Sequence, residues 1–147
     1  MRAQNRSVDG NQPAQQSANN GHGRLLLVED DPATARVMSR LMQSVGVVVE
    51  TTGTVKEAIA ALTRMPEVVI LDLMLPDGSG IEILETIRSA KMRCKVAVVS
   101  ASNDEKVLAR LRAATPDAIF SKPLDFEDFV QWLCEAFPES PRHEQAA

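Results

Sequence analysis

The chain has 147 residues, of which 44% are apolar and 24% charged, and this suits one globular domain with tails. A net charge of −4 with no block of like charge argues against direct binding of nucleic acid, which wants a basic face. Two distant cysteines, Cys94 and Cys134, read as small buried hydrophobes. Without an apolar leader or a membrane-length apolar run, the chain is expected to be cytoplasmic and not inserted in a membrane.

Residues 1–22 are rich in Asn, Gln, Ser and Gly and have little to bury, so they read as a disordered tail. Residues 138–147 read as a second tail, leaving a folded body over 23–137. Both histidines, His22 and His143, fall outside that body, which excludes histidine acid–base chemistry and histidine metal ligation within it.

Within the body, short apolar runs at 25–28, 47–49, 68–71, 96–99 and 118–120 suit buried strands. Helical patterns lie between them. Over 33–45, Val37, Met38, Leu41 and Val45 recur at helical spacing, and over 126–137 Phe126, Phe129, Val130, Leu133 and Phe137 do the same. Asp31 followed by Pro32 marks a helix start. Thr54 with Glu57, Ser79 with Glu82 and Ser102 with Glu105 each read as a capping box, and Asp125 caps the last helix. The basic stretch Arg88, Lys91, Arg93 and Lys95 reads as cations at a helix C-terminus. Five continuous apolar strands alternating with five helices predict an α/β domain, a doubly wound parallel sheet with helices on both faces.

In such a sheet the ligand site lies beyond the carboxyl ends of the strands. Glu29, Asp30 and Asp31 follow the first strand and Asp72 follows the third. Ser100 and Ala101 follow the fourth, and Lys122 and Pro123 come just after the fifth. Clustered carboxylates repel unless a cation joins them, and oxygen-only ligands favour a hard ion such as Mg²⁺. A carboxylate beside Mg²⁺ and a lysine can attack phosphorus. Taken singly, each residue has a plainer role: Asp31 suits a cap, and a serine at a strand end is ordinary. The signal lies in the ordered set.

That set resembles the receiver domain of bacterial two-component response regulators. The matching segments are LLLVEDDP at 25–32, VVILDLMLPDGSG at 68–80, VAVVSAS at 96–102 and IFSKP at 119–123. The resemblance covers about residues 24–137 and implies a flavodoxin-like sheet with strand order 2-1-3-4-5. It implies that Asp72 is the phosphoacceptor, Asp30 a direct Mg²⁺ ligand, Glu29 a ligand through water, and Met74 a ligand through its backbone carbonyl. Ser100 and the Ala101 N–H would meet phosphoryl oxygens, and Lys122 would pair with the phosphoryl group. Pro76 and Gly80 would shape the loop. The implied chemistry is transfer from a histidine kinase or histidine phosphotransfer protein to Asp72, followed by slow self-dephosphorylation. With no output domain after residue 137, the expected output is binding to a downstream protein or relay of the phosphoryl group. The first helix, with Ala35, Met38 and Met42 near one side, offers a docking surface, or else Met38 belongs to the core.

One departure stands out. Three residues before the lysine the family usually has Tyr or Phe, a rotamer switch; here the switch position holds Ile119, and Phe120 should face the other side of the sheet. A degenerate receiver that binds partners without phosphorylation is an alternative, although Asp30, Asp72 and Lys122 are all present. A hydrolase of the haloacid-dehalogenase type would need a second Asp where Met74 stands. A dinucleotide-binding protein would need a glycine-rich turn in place of EDDP.

Overall fold

The computed structural model describes residues 23–137; both predicted tails lie outside the described residues. Five strands form one parallel sheet: β1 (Arg24–Val28), β2 (Val48–Thr52), β3 (Val68–Asp72), β4 (Lys95–Ser100) and β5 (Ala118–Ser121). Their order is β2-β1-β3-β4-β5, as the resemblance implies. The helices are α1 (Pro32–Gln43), α2 (Val55–Ala61), α3 (Gly80–Ser89), α4 (Glu105–Ala113) and α5 (Phe126–Ala136), with a 3₁₀ turn at Leu62–Arg64 after α2.

The continuous apolar strands are buried on both faces because their side chains alternate. Leu26, Val28, Val69, Leu71, Val96 and Val98 join α2 and α3 on one face. Leu25, Leu27, Val68, Ile70, Ala97 and Val99 join α1 and α5 on the other. Phe129 is fully buried on this second face, and Phe120 meets it edge-on at a centroid distance of 5.4 Å.

Strand β2 runs further than its apolar residues suggest. Its ladder with β1 continues to the pair Val28–Thr52, so Glu50, Thr51 and Thr52 are strand residues. It is an edge strand, where polar side chains cost little.

Asp31 caps α1, its carboxylate accepting the Thr34 N–H at 2.9 Å. Asp125 caps α5 in the same way, through the Asp128 N–H. Ser79 and Glu82 form a complete capping box at α3. At α2, Thr54 accepts the Glu57 N–H, but the Glu57 carboxylate reaches the Gly53 N–H instead of closing the box. The box predicted at Ser102 and Glu105 does not form. Asp104 is the cap of α4, accepting the Lys106 N–H at 2.9 Å, while the Ser102 hydroxyl accepts the Asp104 N–H and shapes the preceding turn.

Arg88 ends α3 among basic residues as expected, but its guanidinium does more than face a helix dipole. It bonds the Thr115 carbonyl and, at 2.9 Å, the Asp117 carboxylate, which also accepts the Val96 N–H. This network ties α3 to the starts of β4 and β5.

Candidate functional site

The carboxyl ends of β1, β3, β4 and β5 come together at one rim, because parallel strands in adjacent register end side by side. Asp72 is the last residue of β3, and Ser100 and Ser121 close β4 and β5. Glu29 and Asp30 follow directly on β1, where the backbone turns into α1.

Among the described residues, Glu29, Asp30 and Asp72 form an acidic cluster whose ligand oxygens lie within 4.8 Å of one another. Lys122 reaches over them, its Nζ 3.7 Å from Asp72 Oδ2 and 3.8 Å from Glu29 Oε1. Glu29 is buried, Asp72 partly buried and Asp30 exposed, so the cluster opens toward solvent on the Asp30 side. Burial pushes the Glu29 carboxyl above its ordinary pKa; the Asp31 N–H, bonded to it at 3.1 Å, opposes the shift, and the nearby Asp72 charge adds to it. Asp31 points away into its capping bonds with Thr34, which hold its carboxyl below the ordinary range.

The donor set fits a hard divalent cation. It is all oxygen, it gathers acid that a cation would neutralise, and it leaves an open side for water and an incoming group.

Ser100 is buried, and its hydroxyl accepts the Ser102 N–H at 3.0 Å. The Lys122 N–H bonds the Ser100 carbonyl at 3.0 Å, fastening the lysine segment to the end of β4. Ala101 is exposed at the rim. The Met74 side chain is also exposed, and its backbone pairs with Ser79 in a two-stranded ladder, Met74–Leu75 with Gly78–Ser79. Gly80 passes so close to Asp72 that a Cβ there would lie 2.3 Å from the Asp72 carbonyl oxygen, so this position needs glycine.

Ile119 pairs with Val98 and is 41% exposed. Phe120 pairs with Val99, joins the opposite core and stacks edge-on against both Phe129 and Trp132. No aromatic ring therefore occupies the switch position. Of the two readings of α1, the core one holds and the docking face is corrected: Met38 and Met42 are only 5% and 0% exposed and Ala35 packs on the core, whereas Val37 faces out.

One residue near the site escaped the sequence reading. Asp77, in the turn of the small ladder, accepts the N–H groups of Val55 at 2.7 Å and Lys56 at 3.1 Å, the first two of α2. A carboxylate just after Pro76 was the available signal, but it did not name a partner.

A rim of strand-end carboxylates under a lysine, on a doubly wound parallel sheet, is the arrangement that the resemblance to receiver domains implies. The profile of the response regulator receiver domain matches residues 25–133, and the chain belongs to that family of two-component proteins. It is 31% identical over 124 residues to the cell cycle transcriptional regulator CtrA of Caulobacter vibrioides, covering 84% of this chain and 54% of that protein. It is 36% identical over 108 residues to the probable transcriptional regulatory protein TcrX of Mycobacterium tuberculosis, covering 72% and 46%. The chain thus spans about half the length of these two relatives. In fold it is similar to a CheY-like receiver domain from Methanospirillum hungatei, with a TM-score of 0.74 at 24% identity, covering 86% of this chain and 99% of that one. No described helix is long and apolar enough to cross a membrane.

Proposed function

We propose that this chain is a Mg²⁺-dependent phosphorylatable switch with Asp72 as phosphoacceptor. The observation that carries the reading is Asp72 at the end of β3, within 4.8 Å of the Glu29 and Asp30 oxygens and 3.7 Å from Lys122 Nζ. Asp30 and Asp72 would hold Mg²⁺ directly, the Met74 carbonyl would complete the protein ligands, and Glu29 would act through water. The bound ion would neutralise charge on the transferring phosphoryl group. An Asp72 oxygen forms a bond to phosphorus while the P–N bond of a phosphohistidine donor breaks, its electron pair remaining on the imidazole. Lys122, Ser100 and the Ala101 N–H would receive the phosphoryl oxygens.

The donor in this reading is a histidine kinase or a histidine phosphotransfer protein. A groove of about 380 Å³ beside Lys122, lined by Thr34, Val37, Met38, Pro123 and Phe126, supports docking there. Output passes to a downstream protein, in a cytoplasmic setting and without direct nucleic-acid contact by this domain.

The test is incubation with acetyl phosphate and Mg²⁺ followed by mass spectrometry. One phosphoryl group should appear on Asp72, and Asp72→Asn or chelation of Mg²⁺ should abolish it. Modification at another residue, or no modification together with no Mg²⁺ binding, overturns the assignment.

A further inference from the structure

The segment between Asp72 and α3 is held at three places. The Gly80 N–H bonds the Leu73 carbonyl at 2.9 Å. The ladder pairs Met74 with Ser79 and Leu75 with Gly78, leaving Pro76 and Asp77 as its turn. Ser79 and Glu82 close their capping box. These bonds fasten the loop to itself and to α3. Among the described residues, the only hydrogen bonds from this loop to an element other than the flanking β3 and α3 are the two that Asp77 accepts from Val55 and Lys56 of α2.

Those bonds complete the first turn of α2. Its free N–H groups are shared out: Thr54 takes that of Glu57, while Asp77 takes those of Val55 and Lys56. Bonds to an ionised acceptor are the stronger kind, and they join a helix start to a turn 22 residues away. The loop so anchored carries Met74 two positions after Asp72, whereas α2 itself contributes no residue to the acidic cluster.

We propose that Asp77 is a positioning residue for the site: its bonds to α2 set the loop that carries Met74, so that filling the acidic cluster and ordering the start of α2 are coupled. The inference rests on the reading of the cluster as a Mg²⁺ site. Coupling of this kind is reciprocal. Mg²⁺ binding should steady the loop and protect the α2 amides, and loss of the α2 bonds should weaken Mg²⁺ binding.

The experiment compares the wild-type chain with Asp77→Ala, Val55→Pro and Val55→Ala, using calorimetric titration with Mg²⁺ and hydrogen exchange at the Lys56 amide. Val55→Pro removes the donor from the α2 side without touching the loop. Thr54 is extended, at φ −137 and ψ 161, which suits a residue before proline, and the first helical position tolerates proline. Val55→Ala trims the side chain but keeps the N–H. The expected result is slower Lys56 exchange on adding Mg²⁺ to the wild type, and Mg²⁺ affinity at least about fivefold weaker in Asp77→Ala and Val55→Pro than in Val55→Ala. If Asp77→Ala fails to fold, Val55→Pro against Val55→Ala decides. Equal affinities in Val55→Pro and Val55→Ala, or Lys56 exchange indifferent to Mg²⁺, overturn the coupling while leaving the phosphoacceptor reading intact. A wild type that binds no Mg²⁺ overturns both.

Discussion

The Asp77 carboxylate accepts the Val55 N–H at 2.7 Å and so joins the loop after β3 to the start of α2. This bond, with the one from Lys56, holds the Asp77 carboxyl below the ordinary carboxylate range. A lowered pKa contributes stability above the unfolded value and loses it as pH falls through the folded value. Asp77→Asn should therefore be less stable than wild type near neutrality, and the gap should close as pH falls below about 4. Urea midpoints across that range check it; a gap that persists in acid would assign the effect to shape instead of charge.

Glu29 should behave in the opposite sense. Its carboxyl is raised by burial, so it favours folding while protonated, and that contribution is lost as pH rises through its folded pKa. In metal-free protein, Glu29→Gln should stabilise the fold at neutral pH and give no gain below about pH 4. Saturating Mg²⁺ should reverse the order by stabilising the wild type more. Thermal melts with and without Mg²⁺ read both effects, and a gain independent of pH would count against the buried charge as its source.

Neighbouring acids should separate cleanly. Asp31 is committed to capping α1 through Thr34, while Asp30 lies in the acidic cluster. Asp30→Ala should weaken Mg²⁺ binding at least about tenfold, because even supporting groups around a metal are worth about 10–100-fold. Asp31→Ala should lower the melting temperature and leave Mg²⁺ affinity close to wild type. A titration in which Asp31 matters more than Asp30 would place the ligand one residue later.

Signal transmission should run through Ser100. Its hydroxyl oxygen accepts the Ser102 N–H, which leaves the hydroxyl hydrogen to donate to a phosphoryl oxygen on Asp72. Ile119 is β-branched, carries no hydroxyl and is already 41% exposed, so it cannot copy an aromatic ring moving inward. Ser100→Ala should remove most of the beryllofluoride-induced NMR shifts across α4, Glu105–Ala113, while Ile119→Val keeps them. The opposite pattern would make Ile119 the switch.

Phe129 is fully buried against Phe120 in the α1/α5 core. Phe129→Ala should cost roughly 3–5 kcal/mol of stability by transfer and cavity terms. Denaturant unfolding measures this, and a loss under about 1 kcal/mol would mean that the core refills the space.

The alternation of apolar runs with helical patterns determined the doubly wound sheet, and the rule that sites lie at strand carboxyl ends brought Glu29, Asp30, Asp72, Ser100 and Lys122 to one rim. Both follow from local periodicity and chain order, which a sequence displays directly. Most helix starts were also legible, because a cap bonds an N–H two or three residues away. The Ser102 box failed because two possible caps, Ser102 and Asp104, lie within one turn of each other, and only the built loop chooses between them. The tertiary structure alone decided the phase of α1. Val37 and Met38 are neighbours on an apolar stripe, and only the position of the helix on the sheet buries Met38 and exposes Val37. It alone also decided the partners of Asp77 and Arg88. Their carboxylate and guanidinium bond groups 21 to 29 residues away, and periodicity carries no information about which helix start or loop carbonyl folding will bring within 3.1 Å.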